Sequence, residues 1–248
     1  MNEITPPDYS KYNQENYTKR IRTPSSSRDF FEKCINPIVT EVINKNEKAI
    51  LLNIGIGPGH EFNHPKIKEN PNLKVIGVDI DQATLINHTR SRLPQALLVA
   101  ANTKNSPFQK EFADCGVVIN ALMYNPKEVL QMLFESLKPD GKAILNDTIF
   151  ERIKEERKAS QLASGCKNFP VEINFENETV NFTAIDYTNH ERAETRNLGT
   201  QIYPTTQNDA EKMFTSSGFE IIKLERIPYE KDGETGKTTV FVVQKPKS

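Results

Sequence analysis

A glycine-rich loop that directly follows a short apolar run is the feature that most constrains this chain. Residues 49–54, A-I-L-L-N-I, have the continuous apolar character of a buried strand, and Asn53 to Gly59 read N-I-G-I-G-P-G. Glycines at alternate positions let the backbone turn tightly and approach a ligand closely. The unpaired amides of a helix that starts after such a loop favour a carboxylate or a phosphate. The loop therefore predicts a ligand site at the end of this strand.

The spacing of the glycines and a following aspartate narrow the class of ligand. The dinucleotide fingerprint G-x-G-x-x-G needs a glycine at position 60, where this chain has His60. A second apolar run, residues 73–79, ends at Asp79. A carboxylate at this strand end can accept hydrogen bonds from both ribose hydroxyls of a nucleoside. The alternative is a solvent-exposed aspartate without a ligand. Asp81 is interpreted as the N-cap of the next helix.

Strand and helix patterns alternate through the first half of the chain. Three further apolar runs predict strands, and two amphipathic segments predict helices: strands at 96–100, 115–120 and 142–147, helices at 82–93 and 126–138. Apolar residues at helical spacing also predict a helix from Phe30 to Val42, which Pro37 weakens or breaks. Such alternation favours a parallel sheet with right-handed crossovers.

The pattern changes after Thr148. A charge run at 151–158 is interpreted as a solvated helix face. The later elements are predicted as follows: short strands at 171–175 and 179–187, a helix at 206–217, and strands at 219–226 and 238–244. The last two strands should pair antiparallel, because Asp232-Gly233 and Gly236 lie in the turn between them.

Composition excludes several classes of function. The 248 residues carry a formal net charge of -1, without the basic excess that is typical of nucleic-acid-binding proteins. No apolar run approaches the ~20 residues of a membrane span, and the first residues lack the pattern of a signal peptide. Three widely spaced cysteines are typical of free thiols in the cytoplasm. His60 and His64 lack a third ligand nearby, so no metal site is predicted. A homo-oligomer is left open.

Four blocks of the sequence, in order, resemble the motifs of class I S-adenosylmethionine (SAM) dependent methyltransferases. They lie within residues 47–147 and read N-I-G-I-G-P-G, L-K-V-I-G-V-D-I-D, A-N-T-K-N-S-P-F and L-F-E-S-L-K-P-D-G-K-A-I-L-N-D. The last block, which resembles the family's L-K-P-G-G strand, is among the most specific. The resemblance implies an α/β fold with a Rossmann-like, seven-stranded, mostly parallel sheet, helices on both faces and a small inserted cap. It also implies SAM as the cofactor.

The resemblance also implies which residues hold the cofactor. Gly55, Gly57 and Gly59, with Ile56 between them, would line the methionine part of SAM. Asp79 would hold the ribose. The remaining contacts are implied for the adenine and for the region of the transferring methyl: Ile80, Asn102 and Thr103 at the adenine, Asn120, Ala121 and Leu122 at the methyl.

Two positions depart from the family pattern. Asn53 stands where the first motif usually has an acid, and Asn102 stands where an aspartate usually binds the adenine amino group. An amide oxygen can still accept a hydrogen bond, but a charge-assisted bond, worth about 1 kcal/mol, would be lost. A relative of the family that has lost its cofactor therefore stays open as an alternative.

The predicted organisation has four parts: an N-terminal arm or lid at 1–28, a SAM-binding core at 29–149, an inserted cap at 150–205, and a last helix with the C-terminal strands at 206–248. The arm and the cap carry spare aromatic and basic residues, so both should contact the acceptor. The catalytic residues stay unknown; Tyr124 and His190 are weak candidates.

The predicted function is methyl transfer from SAM to a small-molecule acceptor, mainly by positioning the reactants. Two alternatives remain. One is another transfer of a SAM-derived group, such as aminopropyl transfer, and the other is a non-catalytic partner protein that has kept the fold.

Overall fold

The computed structural model describes residues 30–119, 121–122, 125–147, 171–174, 179–189, 192–202, 204, 206–231 and 234–247. Ten strands are described, and they form two sheets. In chain order they are β1 (Ala49–Ile54), β2 (Leu73–Asp79), β3 (Leu97–Ala100), β4 (Ala113–Ile119), β5 (Leu137–Asp147), β6 (Val171–Asn174), β7 (Thr179–Asn189), β8 (Arg192–Ile202), β9 (Glu220–Lys231) and β10 (Glu234–Gln244).

The main sheet has seven strands in the order β3-β2-β1-β4-β5-β10-β9. The first five strands of this order pair parallel, with Leu51 of β1 opposite both Val75 of β2 and Cys115 of β4. β10 lies antiparallel between β5 and β9. The predicted seven-stranded, mostly parallel sheet is therefore confirmed, and so is the antiparallel pairing of the last two strands.

Six α-helical segments are described in the same residues. They are α1 (Asn36–Lys45), α2 (Pro65–Lys68), α3 (Gln82–Thr84), α4 (Arg90–Arg92), α5 (Pro126–Ser136) and α6 (Gln207–Ser216). Two π-helical segments, Phe31–Ile35 before α1 and Leu85–Thr89 between α3 and α4, continue the helices next to them. No helix in the described part of the chain is long and apolar enough to cross a membrane.

Helices cover both faces of the main sheet, as predicted. One face is covered by α1 and the turn before it. Ile35 of that turn, with Val39 and Val42 of α1, packs with the side chains of β1, β2 and β4. On the other face, Leu130 and Leu133 of α5 pack together with α6. The Phe214 ring of α6 meets the Phe241 ring of β10 edge-on, with 4.8 Å between the ring centroids. Two apolar layers therefore hold the sheet between them.

Pro37 explains the change of winding in the N-terminal helix. Proline has no backbone N–H and clashes with the carbonyl four residues earlier, so it is tolerated only in the first turn of an α-helix. Here Pro37 lies in the first turn of α1, and the preceding turn is wound as a π-helix in which the Asn36 N–H donates to the Phe31 carbonyl. Pro37 therefore changes the winding of this helix, which continues from the π-helical turn into α1 without a break.

The helix predicted after the glycine loop differs from what the structure contains. Gly59 is followed by a single 3-10 turn, His60–Phe62, and then by the four-residue helix α2. Asn63 and His64 have non-helical backbone angles, and Pro65 can only begin a new helix. The prediction of a helix N-terminus that would bind an anion directly after the loop is therefore wrong.

A second sheet of three antiparallel strands, β6-β7-β8, lies within the segment predicted as a cap. The predicted strands at 171–175 and 179–187 correspond to β6 and β7, whereas β8 was not predicted. The charge run at 151–158 lies outside the described residues.

Candidate cofactor site

The order of the strands places a crevice at the carboxyl ends of β1 and β4. From β1 the chain proceeds to β2 and β3 on one side, whereas β4 and β5 extend the sheet on the other side. Open α/β sheets bind their ligands at such a switch point, outside the carboxyl ends of the strands. The loop after β1, Gly55–Gly59, and the end of β2 at Asp79 both lie at this edge.

The glycine loop bends over the end of β2. The N–H groups of Gly55 and Ile56 both donate to the carbonyl of Val78, at 2.7 and 3.0 Å. Gly55 has a φ of +75°, and a Cβ added to it would lie 2.2 Å from the Cβ of Ala121, which follows β4. Only glycine fits at this position, because both the backbone angle and the neighbouring chain exclude a side chain.

Gly57 faces open space instead of a neighbouring chain. Its φ is +47°, and an added Cβ would meet no atom within 4 Å. Its N–H donates to Oδ2 of Asp79 at 2.8 Å. The backbone of the loop is therefore fixed from one side by Asp79, and the other side is free for the close approach of a ligand.

Asp79 accepts backbone hydrogen bonds at both of its carboxylate oxygens. Its Oδ2 accepts the N–H of Gly57, and its Oδ1 accepts the N–H of Asp81 at 2.9 Å. Burial, together with the nearby charge of Asp81, raises the pKa of this carboxyl. Backbone hydrogen bonds from Asp81, Gly57 and Ile80 oppose that shift only in part. Each carboxylate oxygen can accept more than one hydrogen bond, so both retain capacity for hydroxyl donors.

The residues predicted at the adenine lie beside Asp79. The N–H of Ala101 donates to the carbonyl of Asp79 at 3.0 Å, which joins the ends of β2 and β3. Ile80 is 44% exposed, an unusual state for a large apolar side chain, and it offers a surface for an aromatic ring. Oδ1 of Asn102 accepts the N–H of Lys104 at 3.0 Å, and Thr103 between them is half-buried.

The residues predicted near the methyl group divide into two groups. Ala121 contacts the glycine loop and is half-buried, whereas Leu122 is 1% exposed and belongs to the apolar layer formed with α5. Any contact of Leu122 with a ligand must therefore involve its backbone. Asn120, Tyr124 and His190 lie outside the described residues, and their predicted roles stay predictions.

Asn53, at the position where the family has an acid, is 2% exposed. In the described part of the chain no donor reaches its buried Oδ1. A buried acceptor without a partner is costly, about 1–3 kcal/mol, so it indicates either strain or a missing donor. The Ile56 side chain, also 2% exposed, packs against Gly77 of β2 and does not reach the crevice.

Two further residues contact the glycine loop and were not predicted. The Thr89 hydroxyl donates to the carbonyl of Gly57 at 2.5 Å, and the Arg92 guanidinium donates to the carbonyl of Pro58 at 3.1 Å. Both belong to the helical segments after Asp79. The sequence offers no direct signal for them, because the π-helical turn that orients Thr89 is not apparent from residue spacing.

Comparisons with known proteins agree with this geometry. Residues 52–145 match the sequence profile of a family described as a methyltransferase domain. No curated protein sequence matches the chain. Solved structures with the same fold include a SAM-dependent methyltransferase of Methanosarcina mazei, with 20% identity, a TM-score of 0.60, and coverage of 86% of this chain and 98% of that chain.

Two more solved structures extend the comparison. A SAM-dependent methyltransferase of Clostridium acetobutylicum has 14% identity and a TM-score of 0.58, with coverage of 94% of this chain and 96% of that chain. Magnesium protoporphyrin IX methyltransferase of Synechocystis, solved with bound S-adenosylhomocysteine (SAH), has 13% identity and a TM-score of 0.52, with coverage of 89% and 84%. At these identities the likeness concerns the fold, and the profile match identifies the domain.

Proposed function

We propose that this chain, which carries a class I SAM-dependent methyltransferase domain, transfers the methyl group of SAM to a small-molecule acceptor. The observation that carries the proposal is the pair formed by Asp79 and Gly57 at the switch point of the sheet. The carboxylate keeps acceptor capacity for ribose hydroxyls, and the glycine keeps an open face beside it. The matched methyltransferase domain supports the reaction type.

The residues around the crevice suit SAM in their chemistry. Asp79 would accept the ribose hydroxyls, Ile80 would pack on the adenine, and Asn102 would accept from the adenine amino group. The orphaned Oδ1 of Asn53 is an acceptor at the base of the glycine loop, where an ammonium group would satisfy it. When bound, SAM supplies an electrophilic methyl group on a sulfonium.

The chain's contribution to the reaction is positioning. An acceptor that is already nucleophilic needs little acid–base help, and alignment with the methyl group supplies much of the rate. The described residues at the crevice offer hydrogen-bond acceptors and glycine backbone. These groups are suited to holding the cofactor, and less suited to transferring a proton. Tyr124 and His190 stay candidates for contact with the acceptor.

We expect the arm at 1–28 and the cap at 150–205 to recognise the acceptor. The core at 29–149 and the final part at 206–248 would provide the fold and the cofactor site. The core strands are occupied by packing and by cofactor contacts, so acceptor contacts should come from the added segments. Removing residues 1–18 should leave SAM affinity nearly unchanged and cut methyl transfer sharply. Turnover at the full-length rate would remove the arm from this proposal.

The free, buried thiols of Cys34 and Cys115 suit a reducing cytoplasm.

A non-catalytic partner protein is the second candidate, and the amides at Asn53 and Asn102 favour it. A calorimetric titration with SAM and with SAH, followed by mass measurement of the products formed with a panel of small acceptors, separates the candidates. Binding and a gain of one methyl group support the proposed function. An aminopropyl gain in a parallel assay with decarboxylated SAM as the donor supports the other group transfer. No heat at millimolar ligand supports the partner protein.

A further inference from the structure

The helix that follows Asp79 changes its hydrogen-bond register halfway along. After α3, the segment Leu85–Thr89 is wound as a π-helix, in which the N–H of Arg90 donates to the carbonyl of Leu85, five residues earlier. Side chains five residues apart in a regular α-helix point about 140° away from each other, given 3.6 residues per turn. The π-helical turn brings Thr84 and Thr89 towards one face instead. Such turns inside helices are frequent at functional sites.

Thr89 contacts the glycine loop with both branches of its side chain. It is fully buried, and its hydroxyl donates to the carbonyl of Gly57 at 2.5 Å, with the carbonyl of Thr84 farther away at 3.3 Å. A hydroxyl has one hydrogen, so the shorter contact carries the bond. Its methyl group would lie 3.1 Å from a Cβ added to Gly59, so the methyl fills the space under that residue.

Gly57 is therefore held at both of its backbone polar groups. Its N–H donates to Asp79 and its carbonyl accepts from Thr89. The same network continues through the Thr84 hydroxyl, which donates to Oδ2 of Asp81 at 2.7 Å, and through the Asp81 N–H, which donates to Asp79. The carboxylate predicted to hold the ribose and the loop predicted to line the methionine thus belong to one hydrogen-bonded network.

From this geometry we propose that Thr89 is a positioning residue, which holds Gly57 in its cofactor-binding conformation through its hydroxyl group. The proposal rests on the proposed function, because the cofactor concerned is SAM. A loop with positive φ angles at Gly55, Gly57 and Gly59 has many alternative conformations, and ordering it during binding would cost affinity. The Thr89 hydroxyl removes that cost by fixing the loop beforehand.

Two substitutions in the full-length chain separate the two branches of Thr89. Thr89→Val keeps the methyl group and removes the hydroxyl, so SAM and SAH should bind about three- to tenfold more weakly, the range of one neutral hydrogen bond. Thr89→Ser keeps the hydroxyl and removes the methyl, so its affinity should stay within about twofold of wild type. Calorimetry gives the affinities, and urea unfolding without ligand gives the stability of each variant.

A threonine far from the crevice supplies the matched control. The Thr215 hydroxyl donates to the Glu211 carbonyl at 3.0 Å in α6, so Thr215→Val loses the same type of bond. Its SAM affinity should equal that of wild type. If Thr89→Val does not fold, Thr89→Ala is compared with Thr89→Ser instead. The Thr89→Ala variant should then bind SAM more weakly than the Thr89→Ser variant.

The outcomes separate the two proposals. Wild-type affinity in a folded Thr89→Val variant, or equal losses in the Val and Ser variants, overturns the role of the Thr89 hydroxyl. A wild-type protein that does not bind SAM overturns the proposed function instead. A rise in the KM for SAM in Thr89→Val, with kcat little changed and the rise absent from Thr89→Ser, supports positioning of the cofactor loop.

Discussion

Two aspartates lie on the strands that flank β1, at opposite edges of the sheet: Asp114 is buried and Asp79 is half-buried. Their interactions with the rest of the chain differ. Asp114 is the second residue of β4, at the amino edge of the parallel strands. Its Oδ2 accepts the N–H of Ile50, and its Oδ1 pairs with the ammonium of Lys138 at 2.6 Å. Asp79 ends β2 at the carboxyl edge. It also accepts backbone N–H groups, from Gly57 and Asp81, but no cation of the described residues contributes to its environment.

The difference shows at which edge of the sheet the charge of the aspartate is neutralised without a ligand. At the amino edge the chain supplies its own cation, so the charge of Asp114 is satisfied internally. At the carboxyl edge the described residues offset the charge of Asp79 by backbone donors alone, and burial raises the pKa of this carboxyl. Keeping such a group costs stability, which suits a residue retained for binding and not for folding. The following predictions test whether Asp79 serves binding and Asp114 serves folding.

Asp79→Ala should give the largest effect on binding. Removing the carboxylate removes the acceptor proposed for the ribose, so SAM affinity should fall by about 1.5–3 kcal/mol, roughly ten- to 150-fold. Calorimetry with SAM and SAH measures the loss. Unchanged affinity in a folded variant would show that the ribose is held elsewhere and that the two aspartates do not differ in this way.

Asp114→Ala should lower the stability of the protein and leave SAM binding nearly unchanged. The Ile50 N–H loses its acceptor, while Lys138, whose side chain is 44% exposed, can turn to solvent. The free energy of unfolding should therefore fall by about 1–3 kcal/mol, the cost of one unsatisfied donor. Urea unfolding measures this loss, and SAM affinity should stay within about twofold of wild type. A large loss of affinity in this variant would contradict the division between the two edges.

The pH dependence of binding should belong to Asp79. Its pKa in the folded protein is raised above the unfolded value, so its contribution to stability is complete below the unfolded pKa and is lost as the pH rises through the folded pKa. The ionised carboxylate is the better acceptor, so affinity changes in the other direction. It should fall about fivefold as the pH drops through the raised pKa, the difference between a charged and a neutral acceptor.

Adenosine is the probe for this effect, because it carries the ribose hydroxyls without the carboxylate and ammonium of SAM. Its affinity is measured by calorimetry over a pH range in which circular dichroism shows the protein folded. Asp79→Asn should bind adenosine with little dependence on pH, and Asp114→Ala should keep the wild-type dependence. The same pH dependence in Asp79→Asn would assign the titration to another group.

The sequence was informative wherever a local pattern determines structure. β1 and β2 have the predicted bounds, 49–54 and 73–79, because strands buried on both faces are continuous apolar runs ended by glycine or aspartate. The methyltransferase domain was predicted from ordered motifs and is confirmed by the profile match. The loop and Asp79 were placed together because parallel strands bring their carboxyl ends to one edge.

The sequence was less informative where contacts between residues distant in the chain determine the structure. β8 reads R-A-E-T-R-N-L-G-T-Q-I, too polar for a strand pattern, and only its pairing with β7 identifies it. Thr89 is 32 residues from Gly57, and its role depends on a π-helical turn that spacing does not reveal. Asn53, by contrast, is recognisable from the sequence as a departure from the acid of the family's first motif. The structure adds that its Oδ1 is buried without a donor in the described residues.

Asn102→Asp should give the smallest effect and tests the adenine end of the crevice. The Asn102 Oδ1 accepts the Lys104 N–H, and an aspartate can keep that bond with one oxygen and offer the other to an adenine amino group. Asn102 is exposed, so the added charge costs little desolvation. SAM affinity should stay equal or improve by up to about fivefold, the difference between a charged and a neutral acceptor.

Two controls decide what a change in affinity at position 102 means. Asn105→Asp adds the same charge to the same exposed turn, since the Asn105 N–H donates to the Asn102 carbonyl, and it should leave SAM affinity unchanged. Inosine carries a carbonyl where adenosine has its amino group, so Asn102→Asp should gain affinity for adenosine and lose affinity for inosine, because two acceptors would then face each other. A large loss for both nucleosides would show that Asn102 does not face the amino group. Among the polar side chains of the described residues, Asp79 would then be left as the one proposed to contact the nucleoside.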